Sequence, residues 1–318
     1  MKRKYLLSLT LIVLIFLVAC TSGTEQPNQL EKHSEQNKQG IELPATDRAG
    51  NEISIPEEIN RIISMSPGNT ELLIELGFKD KIIATDTYSA HLVPEGTPLF
   101  DMMTPDAEQM VALEPDIIFA TGMSMAGGTD PYKPIKDMGI CVAYIPASDS
   151  IESIYEDIMF FANSLKVPEK GREIVDNMKS KIKEFQKIGE TIKDKKTVYF
   201  EISAAPYIYS FGNGVFLNEM IEIIGAENIL ADHSMWISVS EETVISADPD
   251  VIITNVDYLD DPVAEIKSRP GWQNIKALKN NNVYRVENDV TSHSNHKIIE
   301  GLKQMAEAVY PDIYQYEN

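Results

Sequence analysis

Residues 112–122 read ALEPDIIFATG, and residues 246–256 read SADPDVIITNV. Each stretch leaves a helical pattern, passes through an acid-Pro-Asp turn and enters a short apolar run typical of a buried strand. Glu108 and Glu242 each precede the proline of their turn by seven residues, so the match extends back into the helices. A local arrangement that occurs twice predicts two similar α/β units in one chain.

The sequence around both stretches alternates strand and helix patterns, which predicts βαβ units with parallel, buried strands. We expect strands near 61–66, 81–85, 116–120, 141–145, 197–202, 251–254 and 283–286. We expect helices over 104–113, 215–224, 240–247 and 295–309, the first with Thr104 as N-cap and Pro105 as its first residue. The fold class is therefore predicted as α/β, with an N-terminal lobe over 41–167 and a C-terminal lobe over 194–318.

Residues 168–193 separate the two lobes and carry apolar side chains at helical i+3 and i+4 steps. Pro168 is well placed at the start of such a helix, and the opposite face is rich in Lys and Glu. About 24 helical residues span roughly 36 Å, enough to cross from one lobe to the other. We therefore predict two Rossmann-like lobes joined by one long rigid α-helix, with a ligand cleft between them.

The first residues have the pattern of a targeting segment. Lys2, Arg3 and Lys4 precede an uncharged apolar run over 5–19, which is shorter than the roughly 20 residues of a membrane-spanning helix. Leu17-Val-Ala-Cys20 resembles a bacterial lipoprotein box, which implies a signal peptide over 1–19, cleavage before Cys20 and a diacylglyceryl group on its thiol. Residues 20–40 hold one aliphatic side chain and predict a flexible tether. We expect an extracytoplasmic protein held at the cell membrane by its lipid anchor.

The chain is acidic, with a formal net charge of −21, and removal of residues 1–19 takes away only cations. Nucleic-acid binding depends on cationic contacts to phosphate, so this charge argues against a nucleic-acid partner. Once Cys20 is lipidated, only Cys141 remains, and no intramolecular disulfide can form.

Several segments together resemble the substrate-binding proteins of ABC importers, in the class with a helical backbone between the lobes. The resemblance covers roughly residues 58–312 and rests on the order and spacing of short motifs, namely RIISMSPGNTE at 61–71, the helix and strand at 108–122, IEIIGAENI at 221–229, and WISVSE with the later DPD at 236–250. This class serves ferric siderophores, haem and cobalamin. The resemblance implies a monomer that captures a small-molecule metal chelate and delivers it to a membrane permease dimer with its cytoplasmic ATPase.

Ligands of parallel sheets bind beyond the carboxyl ends of the strands, and the loops there are rich in aromatic residues. Aromatic walls with a few polar groups suit a large, rigid, partly apolar ligand. We expect the ligand contacts to come from Tyr88, Tyr209, Phe211, Trp236 and Tyr258. Few Arg or Lys residues lie in these loops, which favours a neutral iron chelate or a corrinoid over strongly anionic complexes. We expect no cofactor beyond this cargo.

In cobalamin-type members of the family, one Glu on the outer surface of each lobe forms a salt bridge with the permease. Glu71 matches the first by its position after Pro-x-Asn-Thr, and Glu222 matches the second, three residues before Gly225. Internal symmetry favours Glu219 instead, because Glu71 and Glu219 both lie six residues before a helix-ending glycine.

Three other functions stay open. His91, His233 and His293 fall in loops that could face the cleft, so a haem-binding protein or an importer protein for bare zinc or manganese is an alternative. A secreted hydrolase is the least favoured alternative, because no GxGxxG, Walker or GxSxG motif is present.

Overall fold

The computed structural model describes residues 42–125 and 127–315. The predicted signal peptide, the tether and Cys20 lie outside the described residues. No helix within the described ranges is both long enough and apolar enough to cross a bilayer.

The elements up to the end of the central helix are these. The strands are β1 Ile62–Met65, β2 Ile82–Asp86, β3 Leu99–Phe100, β4 Ile117–Thr121 and β5 Cys141–Ile145. The helices are α1 Pro67–Glu75, α2 Ala107–Ala112, α3 Lys133–Asp137, α4 Ile151–Ser164 and α5 Pro168–Gly189.

The elements after it repeat the alternation. The strands are β6 Thr197–Glu201, β7 Tyr209–Phe211, β8 Glu227–Asn228, β9 Trp236–Ser238, β10 Val251–Thr254 and β11 Val283–Arg285. The helices are α6 Phe216–Ile223, α7 Glu241–Ala247, α8 Pro262–Ser268, α9 Lys276–Lys279, α10 Asp289–Ser292 and α11 Ile298–Val309.

Two separate parallel sheets form the two lobes, which confirms the predicted fold class. The N-terminal sheet has the order β3-β2-β1-β4-β5, and the C-terminal sheet has the order β11-β10-β6-β8. Strands β7 and β9 pair as a small antiparallel ribbon beside the second sheet. Both faces of each sheet are covered, because alternate strand residues enter a core shared by the two lobes and a core private to one lobe.

The repeated acid-Pro-Asp turn performs the same task in each lobe. Asp116 donates its N–H to the carbonyl of Arg61 (2.8 Å), and its Oδ2 accepts the N–H of Arg61 (2.8 Å), just before β1. Asp250 exchanges the same two bonds with Thr197 at the start of β6 (both 3.0 Å). Each turn therefore fastens the strand that follows it to the first strand of its own sheet.

Helix α5 lies between the lobes and contacts both. Gly171 faces Ala162 of α4, where an added Cβ would come within 2.4 Å of the Ala162 Cβ. Gly189 lies so close to the end of α6 that a Cβ would meet the carbonyl oxygen of Ile223 at 2.2 Å. We predicted that this helix continues to 193, but it ends at Gly189, where it meets α6.

The helix predicted over 104–113 is shorter than expected at its start. Helix α2 begins at Ala107, and its N-cap is Asp106, whose side chain accepts the N–H of Gln109. The prediction that Thr104 caps this helix is wrong, because Asp106 supplies a carboxylate cap after Pro105.

Candidate functional site

The sheet topology marks the position of a ligand site in each lobe. In the first sheet β1 lies between β2 and β4, and in the second β6 lies between β8 and β10. The connections leave such a central strand in opposite directions, and ligands bind at the carboxyl ends of the strands at this point.

A cavity of about 170 Å³ lies at this point of the N-terminal sheet. The N-terminal lobe lines it with residues that follow β1, β4 and β5, and the C-terminal lobe closes it with Ser292, His293 and Ser294. The cavity therefore lies in the seam between the lobes. Sites for whole small-molecule ligands measure roughly 300–1,000 Å³, so this cavity holds part of a large ligand at most.

A wider depression of about 440 Å³ lies beyond β11, around Arg285 and Asp289. Only residues of the C-terminal lobe line it, so it is separate from the seam.

Four of the five predicted aromatic contacts are exposed in loops and strands on the carboxyl-end side of the sheets. The exposed fractions are 70% for Tyr88, 62% for Tyr258, 42% for Tyr209 and 39% for Trp236. Exposed methionines follow β3 and β4 and precede β9, which adds soft, adaptable contact area. They are Met103, Met123, Met125 and Met235.

Local hydrogen bonds hold two of these aromatic residues in place. Tyr88 is the second residue of a short 3-10 turn over Thr87–Leu92, and the buried Asp86 accepts its N–H at 2.9 Å. The hydroxyl of Tyr258 accepts the N–H of Ala204, just past the end of β6, at 2.8 Å. Both rings therefore project from ordered backbone.

Phe211 was predicted to contact ligand, and the structure contradicts this. Its side chain is 0% exposed and lies between Phe200 and Trp236, with ring centroids 5.4 Å and 5.9 Å away. Phe211 therefore packs against the Trp236 ring and is not itself exposed to a ligand.

The three loop histidines do not come together. The Nδ1 atom of His91 lies 3.1 Å from the carbonyl oxygen of Tyr88, and Nδ1 of His293 lies 3.1 Å from Oε2 of Glu71. Within the described parts of the chain, no group of three or more His, Cys, Asp or Glu side chains could hold a metal ion. The convergence required by the bare-ion alternative is therefore not seen.

Asn69 lines the seam cavity from the first turn of α1 and was not among the residues predicted from the sequence. Its side chain is 7% exposed, and its Nδ2 atom has no hydrogen-bond partner in the structure. The available signal was its position, directly after the carboxyl end of the central strand β1.

A model of the periplasmic binding protein family matches residues 62–290. The chain belongs to this family. Over 99% of both chains it is 30% identical to the "Uncharacterized ABC transporter substrate-binding lipoprotein YvrC" of Bacillus subtilis. It is therefore a substrate-binding protein of the ABC-transporter class, and the family consists of transport proteins.

Two further relatives cover most of this binding protein. It is 30% identical to a solved structure from Staphylococcus epidermidis described as a possible iron-binding (periplasmic solute-binding) protein, with a TM-score of 0.71 over 80% of this chain and 100% of that one. It is 22% identical to the "Cobalamin-binding protein" of Halobacterium salinarum, over 98% of this chain and 86% of the relative.

Glu71 of the binding protein was expected on the outer surface, and the structure contradicts this. The residue is 3% exposed, and its carboxylate accepts hydrogen bonds from Asn295 (2.6 Å) and Lys297 (2.8 Å) of the C-terminal lobe, besides the contact with His293. The segment 293–297 reaches across the seam and covers the carboxylate. No local pattern in the sequence predicts this contact.

The charge of Glu71 is stabilised by these partners. Burial alone would raise its pKa, but the hydrogen bonds from His293, Lys297 and Asn295 outweigh burial and lower the pKa to about 2. Glu71 is therefore ionised at neutral pH and ties α1 to the C-terminal lobe.

On α6 the structure separates the two alternatives for the second surface carboxylate. Glu222 is exposed, and its Oε1 accepts a hydrogen bond from Asn218 at 2.8 Å. Glu219 is partly buried, and its Oε2 accepts the N–H of Ile151, at the start of α4 in the other lobe, at 3.1 Å. Of these two, Glu222 has the carboxylate available to a partner.

Proposed function

We propose that this chain is an extracytoplasmic lipoprotein that captures a metal chelate of the iron-siderophore or cobalamin type and delivers it to the permease of an ABC importer. The observation that carries the proposal is the set of exposed aromatic and methionine side chains on the loops at the carboxyl ends of the strands in both lobes. Large apolar side chains exposed next to one another on a soluble protein mark a binding site, and strands of parallel sheets present their loops at one common edge.

The charges of the seam support a cargo that is neutral overall. None of the described residues that line the seam cavity is Lys or Arg. Lys297, at the edge of the seam, is already paired with Glu71. A strongly anionic catecholate or citrate complex would meet no unpaired cation there, whereas a hydroxamate-iron complex or a corrinoid needs none.

The names of the relatives agree with this class of cargo. One is called cobalamin-binding and another is described as possibly iron-binding. Anchoring through Cys20 is supported by the lipoprotein box at 17–20 and by the relative named as a lipoprotein. The permease dimer, its ATPase and a monomeric state are part of the same proposal.

A fluorescence titration tests the cargo. Trp272 is fully buried against Arg269, so Trp236 is the tryptophan that a ligand in the seam would touch. We expect one chelate from a panel of ferric hydroxamates, ferric catecholates, haem and cyanocobalamin to quench the full-length chain at sub-micromolar concentration. Trp236→Phe should abolish most of that signal, and Tyr258→Ala should weaken binding about tenfold.

Two results would contradict the chelate proposal. A response to bare zinc or manganese alone would favour the bare-ion alternative despite the dispersed histidines. Turnover of a generic ester without chelate binding would favour the hydrolase alternative.

Docking to the permease is tested separately through Glu222. We expect Glu222→Arg to leave chelate affinity unchanged while uptake into cells falls at least tenfold, because the exposed carboxylate can pair with a permease cation. Glu173→Arg is the matched control, since Glu173 is exposed on the inter-lobe helix α5 and lies on neither α1 nor α6. Normal uptake by Glu222→Arg would contradict the docking role.

A further inference from the structure

The seam cavity is too small for a whole ligand, yet it has features of a binding site. It measures about 170 Å³, which corresponds to about five or six water molecules at roughly 30 Å³ each. It cannot enclose a chelate, but it can enclose one short side arm. The exposed rings of Tyr88, Trp236 and Tyr258 remain available to contact the body of such a ligand.

The polar groups of the cavity are mainly donors. Asn69 is more than nine-tenths buried, and its Nδ2 lacks a partner. Gly68 is the second residue of the nine-residue helix α1, where the backbone N–H has no partner inside the helix. The positive end of the helix dipole favours an oxygen acceptor at the same place.

Three hydroxyl groups reinforce this preference. Oγ of Ser66 accepts the backbone N–H of Asn69, and Oγ1 of Thr121 accepts the backbone N–H of Met123. Oγ of Ser292 accepts a hydrogen bond from the side-chain amide of Asn255. Each of these hydroxyl oxygens already accepts one hydrogen bond, and its own O–H can still donate one to a ligand. Ser66 and Thr121 belong to one lobe and Ser292 to the other, so the donors converge from both sides.

The charges around the cavity select a neutral acceptor over an anion. Asp157 lines the cavity and forms an ion pair with Arg48. Glu71 contacts the lining residue His293 and forms an ion pair with Lys297. These pairs leave no net positive charge for an incoming anion. A carbonyl oxygen can accept the available hydrogen bonds without bringing a charge close to the two carboxylates.

We infer that the seam cavity is a subsite for a side arm of the cargo that ends in a neutral carbonyl oxygen, of the carboxamide class, with Asn69 as the specificity-determining donor. This inference rests on the proposed function, because it assigns to the cavity one part of the transported ligand. The ligand body lies on the aromatic rim, and its arm enters the cavity.

Substitutions at Asn69 test the inference in the full-length chain. The probes are cyanocobalamin, which carries carboxamide arms, and a ferric trihydroxamate with amide linkages. Asn69→Ala removes the donor and should weaken binding of the recognised probe about fivefold. Asn69→Asp keeps the shape but places a carboxylate opposite the carbonyl, and should weaken binding at least tenfold.

A matched control separates a local effect from a general one. Asn60 is exposed just before β1, at the amino end of this strand, whereas Asn69 lies beyond its carboxyl end. The Oδ1 atom of Asn60 accepts a hydrogen bond from Lys81. Asn60→Asp adds the same charge and should leave affinity unchanged. Equal affinity of Asn69→Asp and the wild type for the recognised probe would overturn the subsite.

A second measurement does not depend on knowing the cargo. The side-chain amide signals of Asn69, assigned by their loss in Asn69→Ala, are followed by NMR in ¹⁵N-labelled wild-type chain. We expect a saturable shift with propionamide and none with propionate or molybdate at the same concentration. A stronger response to propionate or molybdate would overturn the inference in favour of an oxyanion site.

The two measurements keep the failure of this inference distinct from that of the proposed function. If no chelate binds but propionamide shifts Asn69, the proposed cargo class fails and the subsite stands. If a chelate binds and neither Asn69 variant changes its affinity, the subsite fails and the proposed function stands.

Discussion

Glu71 on α1 and Glu219 on α6 occupy corresponding places in the two lobes, each six residues before a helix-ending glycine. Both carboxylates reach across the seam, but they meet different groups. Glu71 contacts three side chains of the segment 293–297, two of them cationic or able to become so. Glu219 meets one backbone N–H, that of Ile151.

The two carboxylates consequently titrate in opposite directions. Hydrogen bonds outweigh burial at Glu71 and lower its pKa to about 2. Burial dominates at Glu219 and raises its pKa, the N–H of Ile151 lowers it only in part, and the charge of Glu222 raises it further. Repetition of a fold thus preserves the position of a side chain without preserving the electrostatics around it.

The largest expected effect is that of Glu71→Gln. The substitution removes a charge that three groups of the other lobe have been oriented to bind, and should lower the free energy of unfolding at pH 7 by about 2–3 kcal/mol. Urea unfolding at pH 7 measures this difference. Glu75→Gln, one turn later on the same helix and with its side chain 49% exposed, is the control and should change stability by less than about 0.5 kcal/mol.

Wild type and Glu71→Gln should also differ in how their stability depends on pH. A lowered folded-state pKa means that Glu71 contributes stability above its ordinary value of 4.5, and that this contribution is lost as the pH falls towards about 2. The difference between wild type and Glu71→Gln should therefore be fully present above pH 4.5 and should shrink as the pH falls below 4.5. A difference that grows as the pH falls below 4.5 would contradict the assigned contacts.

A smaller and equal effect is expected at the repeated turns. Asp116→Ala removes the acceptor of the Asn60 and Arg61 N–H groups. Asp250→Ala removes the acceptor of the Thr197 N–H group and hydroxyl, so each substitution removes two hydrogen bonds at the first strand of one sheet. Each substitution should cost about 1–2 kcal/mol of unfolding free energy. Asp260→Ala, in an exposed loop, is the control. Costs that differ between the two turns by more than about 1 kcal/mol would contradict their equivalence.

The sequence predicts the fold well because the relevant signals are local. The repeated acid-Pro-Asp turn lies next to the residues that it orders, and the apolar runs of β4 and β10 follow it directly. The long amphipathic pattern from Pro168 gives the inter-lobe helix, with an error only at its end. That end depends on contact with α6, which lies more than twenty residues further along the chain.

The site was harder to predict because its decisive contacts connect distant residues. Tyr209 and Phe211 lie two apart on the same strand and share a face, yet only Tyr209 is exposed, since Trp236 covers Phe211. Glu71 is 222 residues from His293, so its burial cannot be read from its own helix. The unpartnered amide of Asn69 is likewise a property of the closed seam and not of its sequence neighbours.

The smallest expected effect, that of Glu219→Gln, has the opposite sign. The amide keeps an oxygen for the N–H of Ile151 and removes a charge that burial and Glu222 both disfavour. A carboxylate at the start of α4 gains from the helix dipole, but Ser150 already caps that helix, and the raised pKa indicates that burial outweighs the gain. We expect Glu219→Gln to stabilise the chain by about 0.5 kcal/mol at pH 7, the size of one like-charge pair on a helix.

The pH dependence distinguishes this account from a general charge effect. Because the folded-state pKa of Glu219 is raised, wild type and Glu219→Gln should be equally stable below pH 4.5 and should diverge as the pH rises through the folded-state value. Glu222→Gln removes the same like-charge pair but leaves the partly buried charge of Glu219 in place, so it should give a smaller gain. If Glu219→Gln instead destabilised the chain by more than about 1 kcal/mol, the charge of Glu219 would stabilise the start of α4. Glu71 and Glu219 would then both contribute to stability through their charge.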